Sequence, residues 1–113
     1  MPEYFLKGNT FAAPFFSDAI SKYVTAETAE EALLSFIGNK NDIYAMNAYN
    51  SADDYHKGED PVAIWHSNKL IAINEAIKGK GGYTLFSHDD HTIEIDGKTL
   101  NVDNPRGGKI VTK

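Results

Sequence analysis

The chain has 113 residues, of which 42% are hydrophobic and 24% are charged, so it has the composition of one globular domain rather than a disordered segment. Its formal net charge of -5 disfavours a nucleic-acid backbone or an anionic membrane as the partner, because both require clustered Lys and Arg. The absence of cysteine excludes disulfides, thiolate metal sites and a cysteine nucleophile, and it is typical of a reducing compartment.

The N-terminus lacks a basic stretch followed by a long apolar run, and no window approaches the roughly 18 apolar residues that span a bilayer. The sequence therefore predicts a cytoplasmic protein without a membrane partner. No internal repeat or linker divides the chain. We expect a single domain at 1–103 and a flexible C-terminal tail at 104–113.

The first predicted elements are two strands separated by a loop. Residues 4–7 are apolar and predict a strand, and Gly8 and Asn9 predict the turn that closes it. Residues 11–16 hold three phenylalanines without helical or strand periodicity. They predict an apolar loop that either plugs the core or forms the lip of a pocket or an oligomer interface. A second strand is predicted at 23–26.

The strongest local signal is a helix that follows the second strand. Thr28 and Glu31 form a capping box, and apolar residues then recur at helical spacing through residues 29–37. Gly38 supplies the left-handed residue that ends a helix. Residues 43–49 follow as a strand that is packed on both faces.

Two further helix starts come next. Ser51 begins a weaker capping pattern, which predicts a helical turn at 52–57. Pro61 follows an aspartate and predicts the start of a long helix at 61–78. Residues 70–73 are also compatible with a strand, and this alternative stays open.

The last third of the chain reads as strands. Residues 83–87 predict one strand, and 92–95 with 98–102 predict a hairpin around an Asp-Gly pair, the pair preferred in a type I′ turn. This order of elements predicts an α+β fold, with a small antiparallel or mixed β-sheet, two to three helices on one face and a C-terminal β-hairpin. Exposed sheet edges favour a homo-oligomer.

The densest set of chemical groups is the turn His88-Asp89-Asp90-His91. Imidazole and carboxylate are ligands for Zn, Mn or Fe, so His88, Asp90 and His91 form a candidate metal site. The alternative is a solvated turn, because aspartate side chains commonly bond the local backbone.

A second candidate site combines aromatic and imidazole side chains. If the helices at 52–57 and 61–78 fold back on each other, they form a cleft floored by Trp65 that suits a polar ring such as a nucleobase. In the alternative, these aromatic residues only pack. The residues expected to bind a ligand or partner are Phe11, Phe15, Tyr49, Tyr55, His56, Trp65 and His66.

Familiar catalytic, dinucleotide and metal-helix motifs are absent from the sequence. We therefore expect a non-catalytic binding protein without a cofactor, which captures a small polar, nucleotide-like ligand or a protein partner. Its size, acidity and aromatic loops suggest a phage- or mobile-element-encoded inhibitor or sequestering protein. The alternative is a small metal-dependent hydrolase or lyase that uses the His88–His91 turn and a metal-bound water.

Overall fold

The computed structural model describes residues 1–12, 20–38 and 40–111, and these residues form eight strands and three helices. The strands are β1 (Glu3–Thr10), β2 (Ile20–Thr25), β3 (Ile43–Tyr49), β4 (Ala63–Ser67), β5 (Leu85–Ser87), β6 (Thr92–Ile95), β7 (Lys98–Asn101) and β8 (Gly108–Val111). The helices are α1 (Ala29–Ile37), α2 (Ala52–His56) and α3 (Asn68–Ile77). The α+β fold class predicted from the element order is confirmed. None of these three helices is both long and apolar enough to cross a bilayer.

Helix α1 has the predicted bounds because its end signals are local. The Thr28 hydroxyl accepts a hydrogen bond from the Glu31 backbone amide at 3.1 Å, and Gly38 ends the helix at a φ of 45°. The buried face of α1 includes Leu33, which is fully excluded from solvent. It packs on the larger sheet, against a core that includes Leu6 and Met46.

The larger sheet has five antiparallel strands in the order β2-β1-β3-β4-β8, so β3 lies at its centre. The predicted turn at Gly8 and Asn9 is wrong, because β1 continues through both residues to Thr10. Gly8 lies opposite Met46, and a Cβ atom at Gly8 would meet the Ala45 carbonyl oxygen at 2.3 Å. This glycine therefore permits the close approach of two strands rather than a turn.

The smaller sheet has three antiparallel strands in the order β5-β6-β7. The predicted hairpin is confirmed: Ile93 pairs with Leu100, and Asp96 and Gly97 take the positive φ values of 53° and 83° that a type I′ turn requires. Helix α3 packs on this sheet through Ile73 and forms a second core with Ile93 and other apolar side chains. The described residues thus form two sheets, each with its own core.

The predicted helix at 61–78 is wrong in its first half. Residues 63–67 form strand β4, whose alternate residues Ala63, Trp65 and Ser67 are buried, which is the two-residue period of a strand. Helix α3 begins only after the buried Ser67, whose hydroxyl accepts from the Leu70 amide at 3.3 Å. The open alternative of a strand at 70–73 is resolved in favour of the helix.

The C-terminal segment differs from the predicted flexible tail. Strand β8 pairs antiparallel with β4, with Ile110 opposite Trp65 and Gly108 opposite Ser67. A Cβ atom at Gly108 would meet the Trp65 ring at 2.4 Å, so the glycine that suggested a loose tail allows β8 to lie against the indole. Main-chain pairing with β4 orders this segment, although its composition predicts a flexible tail.

Candidate functional site

The start of α3 is anchored to the segment that precedes β8. The Asn68 amide donates to the Gly107 carbonyl at 2.7 Å, and the Lys69 amide donates to the Pro105 carbonyl at 3.3 Å. Together with the Ser67 cap, these bonds satisfy the first amides of the helix, which have no partner within it. The first turn of α3 is therefore held firmly, and with it the backbone of Lys69.

A cavity of about 430 Å³ lies beside α3, at the junction of the two sheets. Its apolar lining comes from Phe11, Tyr44, Leu70, Ile73, Ile77 and Leu85, and Tyr83 adds a partly exposed ring. The α3 contributions are spaced at helical intervals, so a single face of the helix supplies most of one wall. A volume of this size is typical of sites that take up a small organic molecule.

The polar end of the cavity centres on Lys69. This side chain is only 7% exposed, and its ammonium group donates to the Ser87 hydroxyl and to the Asp89 carbonyl at 3.1 Å. The Ser87 hydroxyl also lies 3.3 Å from the same carbonyl and can donate to it. Both acceptors of the lysine are neutral groups. The buried cation lies at one end of a mainly apolar space.

The two carboxylates at this end of the cavity are engaged elsewhere. Asp89 Oδ1 accepts from the His91 amide at 2.8 Å, and Asp90 Oδ2 accepts from Arg106 Nε at 2.7 Å. The hydrogen bond from the His91 backbone is the main reason why the pKa of Asp89 lies below its usual value. Neither carboxylate forms an ion pair with Lys69 in the part of the chain that the structure describes.

An ordered set of contacts forms the edge of the cavity near Phe11. The Phe11 and Tyr44 rings meet edge to face with centroids 5.3 Å apart, and the Arg106 guanidinium carbon lies 4.7 Å from the Phe11 centroid. The Phe11 amide donates to the Asp42 carbonyl at 2.9 Å. Burial raises the pKa of Tyr44, so its hydroxyl stays protonated at neutral pH. These contacts therefore hold the aromatic rings of this wall in a defined orientation.

The predicted metal site has no ligand set of three. His88 Nε2 is 3.9 Å from Glu94 Oε2, Asp90 is paired with Arg106, and the His91 amide is bound by Asp89. Within residues 1–12, 20–38 and 40–111, no three His, Asp or Glu side chains converge in a way that could hold a metal ion. The hydrogen bonds to Asp89 are those of a backbone-bonded aspartate turn.

The second predicted cluster is brought together only in part. Tyr55 on α2 lies with its ring centroid 5.2 Å from that of Tyr49 and 5.3 Å from that of His56, and Phe5 joins them at 5.6 Å. The Lys7 ammonium lies 5.2 Å from the Tyr55 centroid. These residues form an aromatic cluster on β1, β3 and α2, beside a smaller cavity of about 180 Å³.

Trp65 and His66 lie apart from that cluster. They are neighbours on a strand rather than on a helix, so their side chains point to opposite faces of the sheet. Trp65 is 5% exposed and belongs to the core beneath α1, whereas burial lowers the pKa of the half-buried His66. The cleft floored by Trp65 is therefore not formed, and Phe15 lies outside the described residues.

The sequence predicted Phe11 and Asp90 as candidate residues, and both line the cavity beside α3. The prediction missed Lys69 and Tyr44. A signal for Lys69 was present, because Lys69, Ile73 and Ile77 are four residues apart and share one face of a helix. A lysine on the apolar face of a helix is rarely buried without a functional or pairing reason.

Comparisons with known proteins identify no relative. The chain matches no protein-family model, no curated protein and no solved structure. Function is therefore inferred from the residues and distances of the site.

Proposed function

We propose that this protein is a non-catalytic binding protein that holds a small molecule with a flat, mainly apolar body in the cavity beside α3. The observation that carries the proposal is the cavity itself, about 430 Å³ in volume, with apolar walls and polar groups at one end. A few polar groups in an apolar pocket fix the orientation of a ligand, while burial of its body supplies most of the affinity. Single- and double-ring aromatic molecules, including nucleobases, fit this description.

The contacts around Ser87 favour binding over catalysis. Ser87 and Lys69 are a nucleophile and a possible base within hydrogen-bond reach. However, the Ser87 hydroxyl can donate to the Asp89 carbonyl, so a charged Lys69 donates to Ser87 rather than taking its proton. This network holds the ammonium in place without activating the hydroxyl.

Ligand-observed NMR with indole, phenol and adenine tests the proposal. Asn74→Trp places a large ring on an exposed position that lines the cavity, and Glu75→Trp places the same ring on the next exposed position, which does not line it. We expect saturation transfer to at least one probe with the wild type and with Glu75→Trp, and its loss with Asn74→Trp.

Two results would refute this function. The first is that no probe binds, or that Asn74→Trp binds as well as the wild type. The second is hydrolysis of an activated ester such as p-nitrophenyl acetate that Ser87→Ala abolishes, because this would assign catalysis to the pair formed by Ser87 and Lys69.

A further inference from the structure

We propose that the cavity selects ligands that carry one carboxylate, received by the ammonium group of Lys69. The proposal rests on the binding function proposed above and adds the chemical class of the ligand. Its basis is the environment of Lys69, a side chain 7% exposed whose two hydrogen-bond acceptors are neutral and which forms no ion pair with the described residues. A buried charge without an opposite charge is costly, and a bound anion removes that cost.

The hydrogen bonds of Lys69 leave one donor for a ligand. An ammonium group has three N–H donors, and the Ser87 hydroxyl and the Asp89 carbonyl accept two of them. Lys69 makes no other hydrogen bond or ion pair within the described part of the chain. Because Lys69 lines the cavity together with both acceptor residues, we assign the remaining donor to a group inside the cavity.

The surrounding charges favour a monoanion over a dianion. Asp89 and Asp90 both line the same end of the cavity, so a phosphate monoester would bring two negative charges to one lysine beside two carboxylates. Arg106 balances only Asp90, with which its Nε pairs, and its Nη1 donates to the Asn41 carbonyl at 3.1 Å, so Lys69 and Asp89 remain as the other two charges at this end. One carboxylate matches one ammonium, and the apolar walls then receive the ring attached to it.

The test compares 3-phenylpropanoate with its neutral amide, 3-phenylpropanamide, by calorimetry or NMR titration at pH 7. Only the acid places a negative charge opposite the buried ammonium, and a hydrogen bond within an ion pair is stronger than one to a neutral acceptor, so we expect the acid to bind about 10- to 100-fold tighter than the amide. Lys69→Met should abolish the preference and leave the affinity for the amide unchanged or improved. Lys78→Met, on an exposed lysine that does not line the cavity, removes the same net charge and should keep the preference.

The melting temperature separates a ligand-binding role of Lys69 from a structural one. If Lys69 serves the ligand, Lys69→Met should melt at or above the wild-type temperature, because it removes a buried charge that has no ion-pair partner. If Lys69→Met does not fold, Lys69→Gln, which keeps hydrogen-bond donors without the charge, takes its place. The wild-type comparison of acid and amide is informative without any variant.

Three outcomes would overturn the inference, and they are distinguishable from failure of the binding function. Equal affinity for acid and amide, or a preference that survives in Lys69→Met, removes the role of Lys69 while binding in the cavity stands. Tighter binding of 2-phenylethyl phosphate, a phosphate monoester that is mostly a dianion at pH 7, than of the acid would assign the site to a dianion. If these compounds, indole, phenol and adenine all fail to bind, the binding function falls with the inference.

Discussion

Gly8→Ala tests the packing of β1 against β3, the two strands that carry Phe11 and Tyr44 to the cavity. A Cβ atom at position 8 would meet the Ala45 carbonyl oxygen at 2.3 Å, Met46 Sδ at 2.7 Å and Met46 Cα at 3.0 Å. Two of these contacts are main-chain atoms, which cannot rotate away as a side chain can. The strands would have to separate by about 1 Å at the centre of the sheet, against a usual spacing of about 4.8 Å.

The expected magnitude follows from two opposing effects. Overpacking of this kind costs about 3 kcal/mol, and replacing glycine by alanine within a strand returns about 0.5–1 kcal/mol of backbone entropy. The net loss of unfolding free energy is therefore about 2 kcal/mol, which corresponds to a melting temperature lower by about 10 °C. Urea and thermal unfolding followed by circular dichroism measure both quantities.

The matched control for this substitution is Gly81→Ala, since no heavy atom lies within 4 Å of a Cβ atom built there. Its unfolding free energy should stay within about 0.5 kcal/mol of the wild type. If Gly8→Ala melts within about 2 °C of Gly81→Ala, then Gly8 and Met46 do not face each other as closely as described, and the pairing of β1 with β3 is refuted.

Three further predictions concern single side chains. Leu33→Ala should lower the unfolding free energy measured in urea by about 2–5 kcal/mol, because Leu33 is fully buried. Leu34 is 54% exposed on the same helix, so Leu34→Ala should lower it by less than about 0.5 kcal/mol. Equal effects of the two substitutions would contradict the orientation of α1. The hydrogen bond from Lys80 at 2.9 Å lowers the pKa of Asp96, so its stabilisation is present above about pH 4 and is lost as the pH falls through the folded pKa. Asp96→Asn should therefore flatten the dependence of melting temperature on pH between about 2 and 5, and an unchanged slope would count against the pair. Burial lowers the pKa of His66, so below about pH 6.5 the unfolded chain binds more protons and stability falls. His66→Gln should reduce that fall between about pH 5 and 7 in urea midpoints, and a fall that persists undiminished would locate its cause elsewhere.

The elements that the sequence predicted well are those with end signals only a few residues away. Thr28, Glu31 and Gly38 mark both ends of α1, and Asp96-Gly97 sets the turn and register of the hairpin. These groups bond neighbouring backbone amides and carbonyls or adopt positive φ angles, so their effect does not depend on the rest of the fold. The bounds of α1 and the turn of the hairpin can therefore be predicted from the sequence without any tertiary contact.

The errors fall where a residue's role depends on a distant partner. Gly8 suggests a turn until Met46 is placed opposite it, and Gly108 suggests a loose tail until the Trp65 ring is placed beside it. Trp65 itself fitted a helical stripe, but main-chain pairing on both sides of β4 makes it a strand residue. Tertiary pairing outweighs local propensity at each of these positions.

The cavity also depends on residues that are distant in sequence, because no single segment contains it. The sequence determined an acidic α+β domain with one capped helix, a hairpin and a turn rich in His and Asp. Only the tertiary structure decided that Tyr44, Lys69 and Ser87, from three separate elements, line one cavity, and that Asp90 pairs with Arg106 rather than with Lys69. The physical reason is that burial and electrostatic pairing depend on which segments meet in space, and sequence spacing carries little of that information.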